Sequence, residues 1–178
     1  VFGFDPAYTG PCGIAILTRP TPDVVPIVHA HRSCQITDVA TTRWLGDKVS
    51  EVCRPGERIV FVTEDTAFGG HAVARMLGIA VGIVEGLLVD LNALDPDSRV
   101  DVATRTWRAA LPGVGNGGGR TAAKQRAVRW VESAYGITMP VDAAEAACIA
   151  TWWSEDHPEW GTHERPIPVT PTGLRVRV

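Results

Sequence analysis

Three β-prone segments crowd into the first 33 residues: 2–5 (FGFD), 13–18 (GIAILT) and 24–33 (VVPIVHAHRS). The links between them are short and rich in Gly and Pro. A parallel crossover needs about a dozen residues or more, so these links predict an antiparallel meander. Pro26 places the third strand at an edge or a bulge. After residue 37 the pattern changes. Apolar residues at helical spacing predict helices over 37–52, 71–91, 104–110, 121–135 and 141–153. Runs rich in Val and Ile predict strands over 58–63 (RIVFVT), read as central, and 99–103 (RVDVA). Strands first, then strands alternating with helices, imply an α/β fold: a mixed central sheet of about five strands with helices on both faces.

The chain has 178 residues, enough for one domain with a real core. Its expected division is a folded unit over 1–154 and a Pro-rich tail over 155–178. A net charge of -3 gives no global attraction to nucleic acid or to an anionic membrane, so any such contact has to be local. Cys12, Cys34, Cys53 and Cys148 are widely spaced and form no C-x-x-C pair. That argues against zinc and against a disulfide framework, and for reduced, mostly buried thiols in a cytoplasmic protein. No signal-peptide pattern opens the chain. The stretch nearest to a membrane span, 76–91, is interrupted by Glu85 and Asp90 and is expected not to cross one. The helix over 71–91 is apolar around much of its circumference and is expected to pack on a sheet or on a partner subunit.

The acids carry the chemistry. Asp5 ends the first strand and Glu64 follows the strand over 58–63. Asp142 and Glu145 stand three apart in VDAAEAAC, which puts both on one helical face among Ala, Cys and Ile. Taken singly, Asp5 reads as a turn residue, Asp142 as a helix cap and Glu145 as a solvated helix acid. Together, acids on an apolar face are expensive to bury unless a cation compensates them. Mg²⁺ takes carboxylate oxygens while keeping waters for a phosphate. Two such ions about 4 Å apart suit phosphodiester hydrolysis. Asp65 follows Glu64 directly, points to the other strand face and is left out of this set.

Residues 99–129 reverse the chain's negative balance. Arg99, Arg105, Arg108, Arg120, Lys124, Arg126 and Arg129 meet one acid, Asp101. Arg105, Arg108, Arg120 and Lys124 are read as phosphate contacts beside the Gly-rich loop 112–119 (PGVGNGGG); Arg126 and Arg129 also suit a solvated helix face. The loop lacks the Gly-Lys-Ser/Thr ending of an ATP-binding P-loop. Phe68, in a loop four residues past Glu64, can stack on or wedge between bases, or serve as an ordinary core residue. Trp107, among basic residues, can touch DNA but is read first as packing; Trp130, Trp152 and Trp153 are read as core or tail packing.

These segments resemble the RuvC family of Holliday-junction resolvases, within the RNase H-like superfamily. The resemblance rests on FGFDPAYTGPCGIAIL, VFVTEDTAFGGHAVARMLGIAVG, TRTWRAALPGVGNGGGRTAAKQRAV and VDAAEAACIA, in that order. It implies an RNase H-like fold and a homodimeric, Mg²⁺-dependent endonuclease that nicks four-way DNA junctions symmetrically. It implies that Asp5, Glu64, Asp142 and Glu145 hold two metal ions, with Mn²⁺ able to replace Mg²⁺. It also implies that Lys124 lies near the scissile phosphate, that Phe68 is the base-contacting aromatic, and that the helix from His71 helps form the dimer interface. The chain departs from the family at Ala7, where Gly is usual, at Glu145, where Asp is commoner, and in the placing of Phe68, one residue late relative to Glu64. Such departures suit a phage-type member.

Two other classes compete with this reading. An actin- or hexokinase-like ATPase also begins with a strand and an Asp, but DPAYTG fits its phosphate loop poorly. A non-catalytic binder of branched DNA would keep the basic segment without needing the four acids.

Overall fold

In the computed structural model of the chain, β1 (Phe2–Asp5) holds the centre of a five-stranded sheet. The structure describes residues 1–7, 9–19, 23–54, 57–66, 70–95 and 98–158. On one side of β1 lie β2 (Cys12–Thr18) and β3 (Ile27–Cys34), each antiparallel to its neighbour. On the other lie β4 (Phe61–Glu64) and β5 (Arg99–Val102), both parallel, giving the order β3-β2-β1-β4-β5. The expected meander is present, and Pro26 precedes edge strand β3 rather than interrupting it. The segment read as central supplies β4, one place off centre.

Strand alternation sends successive side chains to opposite faces. Phe2 and Phe4 of β1, Ile14 and Ile16 of β2 and Phe61 of β4 fill one face. There they meet Leu45 and Val49 of α1 (Val39–Val52) and Val81, Val84 and Leu88 of α2 (His71–Asp90). Asp38 starts α1 by accepting a hydrogen bond from the Ala40 N–H. Each fully buried Phe contributes about 1.5–3 kcal/mol of transfer free energy. Ala15, Leu17 and Val62 line the opposite face. They pack with Trp107 of α3 (Thr104–Ala110), with Ala127 and Val131 of α4 (Gly119–Tyr135), and with α5 (Val141–Asp156). The two cores confirm an α/β sheet with helices on both faces.

Two observations correct expectations from the sequence. By length and composition α2 is a candidate membrane span, with a mean hydropathy of 2.0 over its best window, despite Glu85 and Asp90. In the fold one side of it packs on the sheet through Ala80, Val81, Val84 and Leu88. The other side leaves Met76, Ile79 and Ile83 exposed. Second, α5 runs on to Asp156, past residue 153, because Trp152, Trp153 and Ser154 are buried and hold its last turns. Residues 159–178 of the expected tail lie outside the described residues.

α5 is the helix pressed most closely on the sheet. Ala143, Ala144, Ala146, Ala147 and Ala150 are all fully buried. Opposite them, β1 and β2 offer Gly3 and Gly13. A Cβ on Gly13 would stand 1.9 Å from the Asp142 carbonyl oxygen, and one on Gly3 would stand 2.1 Å from that of Ala146. The obstructing atoms are backbone, so no rotamer change can relieve the clash. Gly13→Ala should therefore destabilise the protein by about 3 kcal/mol, read as a lower urea midpoint. An unchanged midpoint would show that α5 can lift away at no cost.

Candidate active site

β1 and β4 run parallel, so both end at the same edge of the sheet. Asp5 is the last residue of β1 and Glu64 the last of β4. By alternation Asp5 shares a face with Gly3, and Glu64 shares a face with Val62, the face that carries α5. α5 starts at this edge. Asp142 lies in its first turn, where the helix dipole favours an anion, and Glu145 lies one turn on. The contact of Gly13 with the Asp142 backbone sets the height of this turn above the strands.

Asp5, Asp142 and Glu145 each bring one carboxylate oxygen to within 4.8 Å of the others. Asp5 and Glu145 are buried, at 7% and 2% exposure. The Lys124 ammonium, from α4, lies among them. It is 2.7 Å from Glu145 Oε2, 2.9 Å from Asp142 Oδ1 and 3.9 Å from Asp5 Oδ2. Arg108, on α3, pairs with the other Glu145 oxygen and lies over the Trp107 ring at 5.0 Å from its centroid. The Ser33 hydroxyl donates to Asp142 Oδ2 at 3.2 Å. Glu64 stands beside the trio, its Oε1 accepting from Trp107 Nε1 at 3.2 Å.

Burial raises the Asp5 pKa well above the usual aspartate range, and the charges of Glu145 and Glu64 add to the rise against the pull of Lys124. Burial also raises Glu64, partly offset by its hydrogen bonds from Thr104 and Trp107. For Lys124, burial works to lower the pKa, but the bonds to Glu145 and Asp142 outweigh it and hold the ammonium above its usual value. All this describes a carboxylate cluster that needs positive charge. Its donors are hard oxygens, the set that suits Mg²⁺ or Mn²⁺, and the fold already seats a cation between them. The residues fit a divalent metal.

Of the residues read from the sequence, Asp5, Asp142, Glu145 and Lys124 are brought together, with Glu64 next to them. Arg105 and Arg120 are exposed. Arg108 is turned inward onto Glu145. Arg126, for which a solvated face was the other reading, donates to the carbonyls of Val114, Gly115 and Gly117 and so ties down the Gly-rich loop. Phe68 lies outside the described residues. Ser33 and the indole of Trp107 were not identified as site residues. Their part depends on sheet register and helix placement, and a Trp inside a basic stretch was the single signal available.

No protein-family model matches the chain, and no curated protein matches it in sequence. Among solved structures, the fold is similar to that of T. thermophilus RuvC in complex with its Holliday junction substrate. The TM-score is 0.62 and the identity 16%, over 90% of this chain and 95% of that one. A second Thermus thermophilus RuvC structure gives a TM-score of 0.60 and 17% identity, over 90% and 96%. At this identity the likeness is one of fold, and the chain has a RuvC-like, RNase H-like α/β fold.

The raised Asp5 pKa has a consequence for stability. A proton on Asp5 favours the folded, metal-free protein. That contribution is complete below the ordinary value of 3.8 and is lost as pH rises through the raised folded value. Asp5→Asn imitates the neutral form. In EDTA near neutral pH it should melt higher than the parent by roughly 2–4 °C, equivalent to about 1 kcal/mol at this size. The gap should close as pH falls toward 3.8. A variant that melts lower at neutral pH would show that ionised Asp5 stabilises the metal-free fold.

Proposed function

We propose that this chain is a metal-dependent, structure-selective endonuclease that nicks four-way DNA junctions. The observation that carries the reading is the convergence of Asp5, Asp142 and Glu145, with Glu64 beside them, at one edge of a RuvC-like sheet. The T. thermophilus protein with that fold was solved with a Holliday junction substrate.

In this reading Asp5, Glu64, Asp142 and Glu145 hold two Mg²⁺ or Mn²⁺ ions. Ions bound there would lower the pKa of water and offset the charge that builds on the phosphate oxygens. The chain's own groups do the rest. Arg108 keeps Glu145 in place, Ser33 steadies Asp142, and the Trp107 N–H fixes the Glu64 carboxylate. Lys124 supplies a cation for the reacting phosphate, stabilising developing charge or orienting the water. Exposed Arg105 and Arg120 take phosphates of the junction arms, which sets position without reading sequence. Phe68 would stack on bases near the cut.

The exposed side of α2 supports a homodimer. Met76, Ile79 and Ile83 form an apolar stripe, and Gly78, Gly82 and Gly86 beside it have open space at Cβ, which lets another helix approach closely. Two copies would present two sites to the two opposed strands of a junction with near two-fold symmetry. A cytoplasmic location belongs to the same proposal.

The test is strand cleavage of an end-labelled four-way junction beside a linear duplex of the same sequence, with Mg²⁺, Mn²⁺ or EDTA. Paired nicks on the junction alone, absent in EDTA and in Asp5→Asn, are expected. Ile79→Asp, which puts a charge on the apolar stripe, should give a monomer and leave single, unpaired nicks. Tight junction binding without nicks under either metal would refute the endonuclease reading. Cleavage of the duplex at an equal rate would refute its structure selectivity.

A further inference from the structure

We infer that Lys124 is the resident cation of the metal-free site, and that divalent metal enters by displacing its ammonium. The inference rests on the reading of the acids as a metal centre and adds an order of events to it.

The oxygens a metal needs are already engaged. Glu145 Oε2 and Asp142 Oδ1 hold Lys124 Nζ at 2.7 and 2.9 Å, and Asp5 Oδ2 is 3.9 Å from the same nitrogen. The remaining oxygen of Glu145 is paired with Arg108, and the remaining oxygen of Asp142 accepts from Ser33. The ammonium therefore fills the space between the same three carboxylates whose oxygens lie within 4.8 Å of each other. Among the described residues, four acids converge here against two cations, Arg108 and Lys124. Arg108 also lies over the Trp107 ring. Lys124 reaches in from α4, and its side chain is 19% exposed, so it has a path to solvent.

Such an exchange does two things. Before metal arrives, Lys124 offsets the mutual repulsion of the buried acids and keeps α4 and α5 together. Once metal is bound, the same ammonium is released beside the site and is free to meet a phosphate oxygen. Metal loading and phosphate binding would then follow in sequence, with one lysine serving both.

The chain makes this directly measurable, because Lys48 and Lys124 are its two lysines. A lysine ammonium held by two carboxylates is shielded from exchange with water, and with ¹⁵N-labelled lysine it gives a ¹H–¹⁵N signal; a free one does not. The full chain, without DNA, should give a protected signal that is lost in Lys124→Gln. Saturating Mg²⁺ should remove that signal from the parent protein. By calorimetry, Lys124→Gln should bind Mg²⁺ about tenfold tighter or more, equivalent to roughly 1.4 kcal/mol of relieved competition. No protected Lys124 signal before metal, or a signal that persists at saturating Mg²⁺, overturns the displacement. So does an affinity in Lys124→Gln that is unchanged or weaker. Failure of both proteins to bind Mg²⁺ would instead remove the metal centre, and the inference with it. Should the variant not fold, the signal of the parent protein decides alone.

Discussion

A helix can rest its backbone on a β-sheet only where the strands beneath it carry no side chain. Gly3 and Gly13 provide that bare patch, and α5 covers it with a face of alanines. The contact brings the carbonyl oxygens of Asp142 and Ala146 to where a Cβ would otherwise stand. Much of the site depends on it. Gly13 pairs across the sheet with Asp5 on one side and Ser33 on the other. One position thus fixes the strand acid, the helix acid and the hydroxyl that binds the helix acid. A looser helix would lift Asp142 and Glu145 away from Asp5 and dissolve the cluster.

The electrostatics follow from that packing. Several carboxylates at the edge of a sheet, two of them under a tenth exposed, repel one another and lack solvent. The fold responds with protein charge: Lys124 from α4, and Arg108 from α3 stacked on a buried indole. These helices are bound to the site by charge as well as by apolar contact. Removing either cation would leave buried Glu145 with one cationic partner in place of two, and so weaken the fold. In the proposed reading, stability without metal and readiness for metal pull against each other here.

Much of this was legible in the sequence, for identifiable reasons. The short Gly- and Pro-rich links forced the meander, and acids at strand ends have to gather at one edge once β1 and β4 are parallel. The pair Asp142 and Glu145 followed from helical spacing alone. Hidden features were those set by three-dimensional register. That β1 and not β4 is central depends on which strands pair, which local pattern does not encode. Arg108 looked like a surface phosphate contact, because its partner Glu145 lies 37 residues away. Arg126 reads as a phosphate contact or a solvated charge, yet it organises the loop by binding three of its carbonyls. The end of α5 was misjudged because its last turns are held by buried Trp152 and Trp153 rather than by helical pattern.

The most direct measurement is anomalous diffraction at the manganese edge from crystals of the full chain grown with Mn²⁺. A manganese peak between Asp5, Asp142 and Glu145, with the Lys124 ammonium no longer between those carboxylates, is the expected result. An ordered Lys124 still bonded to Asp142 and Glu145, with manganese absent from the cluster or bound elsewhere, would contradict it. The acids would then be a structural ion-pair network around a lysine rather than a metal centre.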